Sequence, residues 1–333
     1  MYRRTLLQLI GGTTLAAGLG GARPTFAAES TLKIGTVFPK SSPWGKVLET
    51  WTKAVNQKSG GRMTLQIFYN GIQGDEDALV AKIKSGQLSG ALVTGVGLGK
   101  VYKPILALQM PGLFSSWAKL DKARDAMKSE FEKGASDAGF FLAGWGDVGQ
   151  VRMLSKGFVL KQPDDLKGKK PFHLRADTIN PALYSTIGGI SALPLNTQEV
   201  LPQLNTGAID TVLAPCLSSE QLQWSSKVDH ISDLPVAHHL CGLVFSSQQL
   251  DALPADLRNI LLDTAKVLGS ALTTKIRSED DAAFSRAKGK MTLSTLSDDD
   301  KAKWSAIFKQ TRQKLAQGTF SQDLVAKLES LGQ

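Results

Sequence analysis

The sequence predicts an α/β protein of two lobes braced by one long helix, on three observations. Strands alternate with helices of about a dozen residues along most of the chain; a polar, turn-rich linker separates two such alternating sets; and apolar residues recur at helical spacing well beyond Asp251. The 333 residues and 35.7 kDa give room for two cores. With 42% hydrophobic and 21% charged residues, the composition excludes disordered, collagen-like and coiled-coil classes.

The chain opens with an export leader, expected over residues 1–27: Arg3 and Arg4, an apolar run from Leu6 to about Ala22, and the small residues Ala27 and Ala28, with no acid before Glu29. The arginine pair resembles a twin-arginine signal, and a Sec signal also tolerates it. Either route places the mature chain in the periplasm. Loss of the leader removes three arginines and takes Lys plus Arg from 39 to 36 against 30 acids, a net charge of +6. These positives are scattered, with no basic stripe interleaved with aromatics, so nucleic acid is not an expected partner. A mild positive field suits an anionic ligand.

The first lobe is expected over residues 28–148. Leu32 to Val37 alternates as a half-buried strand, and Ser42-Pro43-Trp44 opens a helix with Val47, Trp51 and Ala54 on one side, stopped at Gly60-Gly61. Met63 to Phe68 is the next strand, Asp75 caps a helix, Gly90 to Thr94 is a third strand, and Phe140 to Trp145 closes the set. The crossovers predict a largely parallel sheet. The segment Thr94-Gly95-Val96-Gly97-Leu98-Gly99-Lys100 fits neither glycine-rich phosphate-binding pattern and reads as a flexible cleft loop.

The second lobe is expected over residues 149–235, after the linker around Pro163. It has a strand at Phe172–Arg175, helices at Ile179–Ile187 and Thr197–Asn205, and a strand at Ala208–Leu213; residues 236–250 return to the first lobe. The long helix is expected over 251–290, with Pro254 in its first turn and Leu257, Ile260, Leu261, Ala265, Leu268 and Leu272 on one face. At ~1.5 Å per residue it reaches ~50 Å, enough to cross both lobes. A strand at Met291–Leu296 and a helix capped at Ser297 complete residues 291–333.

Chemistry-bearing residues are few. His173, His230, His238 and His239 have no zinc-binding spacing, and the adjacent His238 and His239 point apart on a strand. One of that pair can hydrogen-bond a ligand, although a satisfied surface histidine is the simpler reading. Cys216 and Cys241 stand outside any C-x-x-C motif, and a disulfide and two buried thiols are both open. Neither a metal nor a cofactor is expected. Arg175 ends a strand at the edge of the second lobe, where a guanidinium can clamp a carboxylate through paired N–H···O bonds; a salt bridge to Asp177 or Asp147 is its structural alternative.

Several stretches together resemble the substrate-binding proteins of tripartite ATP-independent periplasmic (TRAP) transporters, the C4-dicarboxylate type. They are Ile34–Val47, Ser59-Gly60-Gly61-Arg62, Phe68–Glu76, Leu108–Phe114, Asp164-Asp165-Leu166-Lys167-Gly168-Lys169-Lys170 and Leu250–Leu257. The resemblance covers nearly the whole mature chain. It implies the two-lobed periplasmic binding protein fold with a long helix spanning both lobes, no catalysis, and delivery of an organic acid to membrane permease subunits. It also implies that Arg175 fills the position of the family's carboxylate-clamping arginine, with Arg152 a secondary contact. Lys156 stands nearest to the second arginine of many members, and Ala214 where an amide is common. From these departures we expect a more apolar pocket, walled by Trp44, Trp145 and Phe172 with His239 as a further contact, taking an aromatic or aliphatic monocarboxylate rather than a C4-dicarboxylate. An ATP-driven transporter's binding protein, a ligand-presenting sensor and, less favoured, a secreted hydrolase using Cys216 are the alternatives.

Overall fold

A computed structural model of the protein describes residues 29–332; the leader expected over 1–27 lies outside them. Pattern and capping chemistry account for the first units. In β1 (Ser30–Thr36) Leu32 and Ile34 are buried, and α1 (Pro43–Lys58) starts where the Ser42 side chain accepts the Gly45 N–H and proline occupies the first turn. Next come β2 (Met63–Phe68), α2 (Glu76–Lys84) capped by Asp75, and β3 (Gly90–Thr94). The glycine-rich segment expected as a loop is instead a helix, α3 (Gly95–Val101), because the Thr94 side chain caps it and its small residues let it lie against Glu76 and Val93. A helix not anticipated from the sequence, α4 (Trp117–Asp137), precedes β4 (Phe140–Ser155).

Beyond β4 lie β5 (Phe172–Leu174), α5 (Ile179–Ile187), β6 (Leu193–Leu195), α6 (Thr197–Thr206), β7 (Thr211–Pro215) and α7 (Cys216–Gln221). The strand expected over Ala208–Leu213 thus begins later, since Gly207 is left-handed and Ala208 and Ile209 bond back to Gln203 at the end of α6. Then follow β8 (His230–Ser232), β9 (Ala237–Ser246) and α8 (Ser247–Asp251). The long helix α9 (Ala255–Lys288) has 34 residues and starts after Pro254, later than expected because Ser246 caps the separate α8. β10 (Thr292–Ser294), α10 (Asp298–Gly318) and α11 (Gln322–Gly332) end the fold.

The sheet is mixed rather than largely parallel. Its order is β10-β8-β4-β9-β3-β1-β2, with β7 also on β4; β1 pairs parallel with β2 and β3, whereas β9 runs antiparallel to both β3 and β4. β4 pairs with β9 from Phe140 to Val151, then with β7 from Val151 to Ser155, so one strand passes through position 148, where the sequence parts the lobes. Its register shifts at Leu142/Gly144 and at Asp147/Gly149, and such bulges bend a strand. The parallel pair β5–β6 forms a separate small sheet beside β7.

α9 lies along β4 and against α1 and α7, burying Leu257, Leu261, Ala265, Leu268, Leu272 and Ile276. Where it crosses β4, Gly269 brings the backbones so close that a Cβ would stand 2.7 Å from the Trp145 carbonyl oxygen. Farther along, Arg277 donates to Asp147 (2.7 Å) and to Asp121 (2.6 and 2.8 Å), while Arg124 of α4 donates to the same two carboxylates (3.0 and 2.6 Å). Asp280 accepts the Gln150 and Leu217 N–H groups (2.8 and 2.9 Å), which fixes α9 to β4 just past its second bulge and to the start of α7. Among the described residues no helix is long and apolar enough to cross a membrane.

Candidate functional site

A cavity with an internal volume of about 100 Å³ lies where both sets of elements meet. It sits beyond the carboxyl ends of β1, β3, β5 and β7, the usual position for a ligand in α/β folds. One set contributes Phe38, Trp44, Thr94, Val96 and Gln109; the other contributes Phe172, Leu174, Asp177, Asn180, Thr197, Ala214 and Trp224; Val148 and Val151 of β4 and His239 of β9 complete the wall. Its size admits a small organic molecule.

Two aromatic pairs build the apolar part. Trp44 stacks on Phe38 with centroids 4.8 Å apart, and its Nε1 donates to the Asp147 carbonyl (3.1 Å), which locks the ring against the bent part of β4. Phe172 meets Trp224 edge to face at 5.6 Å. Asp177 is the one acidic side chain among the described residues of the lining; the other polar groups there are amides, hydroxyls and His239. Gln109 accepts the Leu240 N–H at Oε1 (3.0 Å), so its orientation is fixed and its amide nitrogen has no partner among the described residues. Burial, reinforced by the neighbouring His238, pushes His239 down to about 4, so its imidazole is uncharged at neutral pH. The Asp177 Oδ1 accepts the Ile179 N–H (2.7 Å) and the Asn180 N–H (3.4 Å) at the start of α5, while burial pushes its pKa up.

Among the described residues, no lysine or arginine lines the cavity. Of the eight residues expected at the site, Trp44, Phe172, Ala214 and His239 come together in this lining. Arg175 stands outside. It is directed to Glu199, donating at 2.8 and 3.0 Å, and its side chain is 48% exposed. The physical reason lies in the local chain: Glu199 caps α6 by accepting the Asn196 N–H, which puts a carboxylate beside the end of β5, so neither Asp177 nor Asp147 is the partner of Arg175. Around Arg175 is a separate small recess, lined also by Asp75, Glu76 and Asp77.

Arg152 is buried on β4, where it lies 3.6 Å over the Phe284 ring and donates to the Asp233 carbonyl, so it braces α9 rather than lining the cavity. Lys156 is turned to the Leu204 carbonyl (3.3 Å), and Trp145 packs near Phe131 under α9 (6.3 Å). His238 is buried against Trp117 and Gln150, not at the surface. Cys216 and Cys241 are both buried free thiols.

Sequence reasoning missed Trp224, Gln109 and Asn180 as lining residues and took Asp177 only as an ion-pair partner. The signal available for Asp177 was its place between the end of a strand and the start of a helix.

Residues 34–319 match the family Bacterial extracellular solute-binding protein, family 7 (DctP). The chain belongs to this family. A relative, the "Solute-binding protein" of Verminephrobacter eiseniae, is 27% identical over 286 residues, covering 85% of this chain and 84% of the relative. The "C4-dicarboxylate-binding periplasmic protein DctP" of Shewanella loihica is 24% identical over 89% of this chain and 88% of its own. Among solved structures, a TRAP periplasmic solute-binding protein from Sulfurospirillum deleyianum with bound succinate superposes with a TM-score of 0.84 at 18% identity, covering 92% of this chain and 100% of that one. The sugar acid binding protein of Advenella mimigardefordensis, in complex with galactonate, gives 0.85 at 16% identity, covering 92% and 98%. At these identities the structural likeness establishes the two-lobed fold, while the family match establishes a solute-binding protein of the transport class.

Behind the cavity wall, the buried Glu76 carboxylate accepts the Thr94 N–H through both oxygens (3.1 Å each), and burial pushes its pKa up to about 7. The folded chain therefore holds a proton that the unfolded chain releases near the ordinary glutamate value. Stability from this group is full below about pH 4.5 and is lost as pH rises to about 7, by on the order of 3 kcal/mol. Glu76→Gln retains an acceptor for Thr94. Chemical denaturation between pH 4.5 and 7 should accordingly show wild type losing stability relative to the variant; parallel profiles would mean that Glu76 titrates normally.

Proposed function

We propose that this family 7 protein captures a small monocarboxylic acid with an apolar body in the cavity between its lobes and hands it to TRAP membrane permease subunits. It binds without turnover in the periplasm, reached by an export leader whose Arg3–Arg4 pair is compatible with the twin-arginine and the Sec route. The observation that carries the ligand class is the absence of lysine and arginine from a cavity walled by Phe38, Trp44, Phe172 and Trp224. Two carboxylates there would lose their hydration with no cation to meet them, a cost of several kcal/mol per ion, whereas one can be met by neutral donors such as Gln109, Asn180 and Thr197. Relatives of the same fold hold acids, among them succinate and (S)-2-acetolactate, which supports an acid here as well.

Contact with both lobes gives the ligand its effect on shape. Only a higher affinity for the closed arrangement can shift the equilibrium between open and closed forms, and a ligand seated between Trp44 and Phe172 has that property.

Thermal shift and calorimetry with a panel of organic acids test this reading. Apolar monocarboxylates should stabilise the mature protein more than succinate does, and Ala214→Phe, which fills the cavity, should remove the shift. Arg175→Ala should leave affinity within about fivefold, because loss of an exposed ion pair removes at most ~1 kcal/mol of interaction. Abolished binding in Arg175→Ala with undiminished binding in Ala214→Phe would move the ligand from the cavity to the arginine.

A further inference from the structure

We propose that the captured acid carries its own cationic nitrogen, making it a zwitterion such as an apolar amino acid, and that Asp177 is the residue selecting it. The inference rests on the cavity being the solute site. It begins from a charge census of the lining. Asp177 is the one acidic side chain there, no lysine or arginine balances it, and the imidazole of His239 is neutral.

Burial disfavours the ionised form of Asp177, and an anionic ligand without a cationic group would bring a further unpaired charge into the same apolar enclosure. Such a charge is costly unless paired. A ligand ammonium removes both difficulties at once. It pairs with Asp177 and it supplies the ligand carboxylate with a counter-charge inside the same molecule.

The geometry around Asp177 leaves room for this. Both main-chain bonds of the helix start, from Ile179 and Asn180, go to Oδ1, and the Asn180 side chain also lies beside the carboxyl group. Oδ2 takes neither of those main-chain bonds, and Asp177 as a residue is 9% exposed while lining the cavity. The other walls fit a cation too. Phe38, Trp44, Phe172 and Trp224 present aromatic rings to the same space, and ring faces attract ammonium groups. Capping alone does not account for this surrounding, since Asp75 caps α2 through the same kind of contact without an aromatic enclosure.

Isothermal titration calorimetry on the mature protein tests the inference with leucine and phenylalanine set against their des-amino analogues, 4-methylpentanoate and 3-phenylpropanoate. At least one amino acid should bind about tenfold or more tighter than its analogue, the effect of one charge-assisted hydrogen bond. Asp177→Asn keeps a good helix cap and should reduce that ratio below about threefold with little change in Tm. The inference is overturned if the des-amino acids bind as tightly as the amino acids, if Asp177→Asn leaves the ratio intact, or if neither amino acid binds. Failure of the parent reading shows separately, as binding that survives Ala214→Phe.

Discussion

Asp147→Ala should lower the free energy of unfolding by about 3–5 kcal/mol, the range for removing one partner from a buried ion pair. The carboxylate has no exposed surface and sits between Arg124 (3.0 Å) and Arg277 (2.7 Å), one from α4 and one from α9. Removing it leaves two guanidiniums facing one remaining acid, Asp121, which is itself 36% exposed and well hydrated. The consequence extends to the site, because the main-chain carbonyl of Asp147 holds the Trp44 indole and the nearby β-bulge sets the course of β4. Urea denaturation gives the stability change, and ligand titration should show weaker binding in the same variant. A loss below about 1 kcal/mol would mean that Asp121 alone satisfies both arginines.

The second large effect is expected at Gly269, and there two influences oppose each other. Alanine in the middle of a helix gains about 1 kcal/mol over glycine. The added Cβ would stand 2.7 Å from the Trp145 carbonyl oxygen and 3.6 Å from the Gly144 Cα, and both of these are backbone atoms of the central strand. They cannot turn aside as a flexible side chain does. α9 must therefore move off β4 over a long packed seam, an overpacking cost of about 1–3 kcal/mol that outweighs the propensity gain. Gly269→Ala should thus lower Tm, while Gly318→Ala, at a helical position with open space around it, should leave Tm equal or higher. Equal stabilisation by both would show that α9 tolerates a wider separation from the sheet.

Local pattern made most of the fold legible. β2 and α5 match their expected limits, because alternation, capping residues and terminal glycines act within a few residues of one another. α3 was misread because glycine content signals freedom, whereas here the glycines permit close packing, with Gly97 against Glu76 and Gly95 against Gln109. The antiparallel insertion of β9 between β3 and β4 depends on residues about 150 and 100 positions apart, which no local spacing encodes. Much the same division governs the site. Trp44 and Phe172 stand at element ends where a cleft is expected, and the structure places both on the cavity wall. Arg175 occupies a comparable position, but its direction is decided by Glu199, 24 residues later, through a capping interaction at the start of another helix. Trp224 gives no local sign at all, since it reaches the cavity through its edge contact with Phe172.

The threading of β9 between β3 and β4 also dictates an assembly order. The first 236 residues lay down β1 to β8, yet β3 and the leading half of β4 remain without their shared neighbour until Ala237–Ser246 has been made. During synthesis at ~5–20 residues per second the nascent chain therefore carries open strand edges for many seconds, a condition that invites aggregation. Productive collapse waits on a late segment, so holdase protection of the growing polypeptide should matter more for this protein than for one whose sheet is completed from its amino terminus.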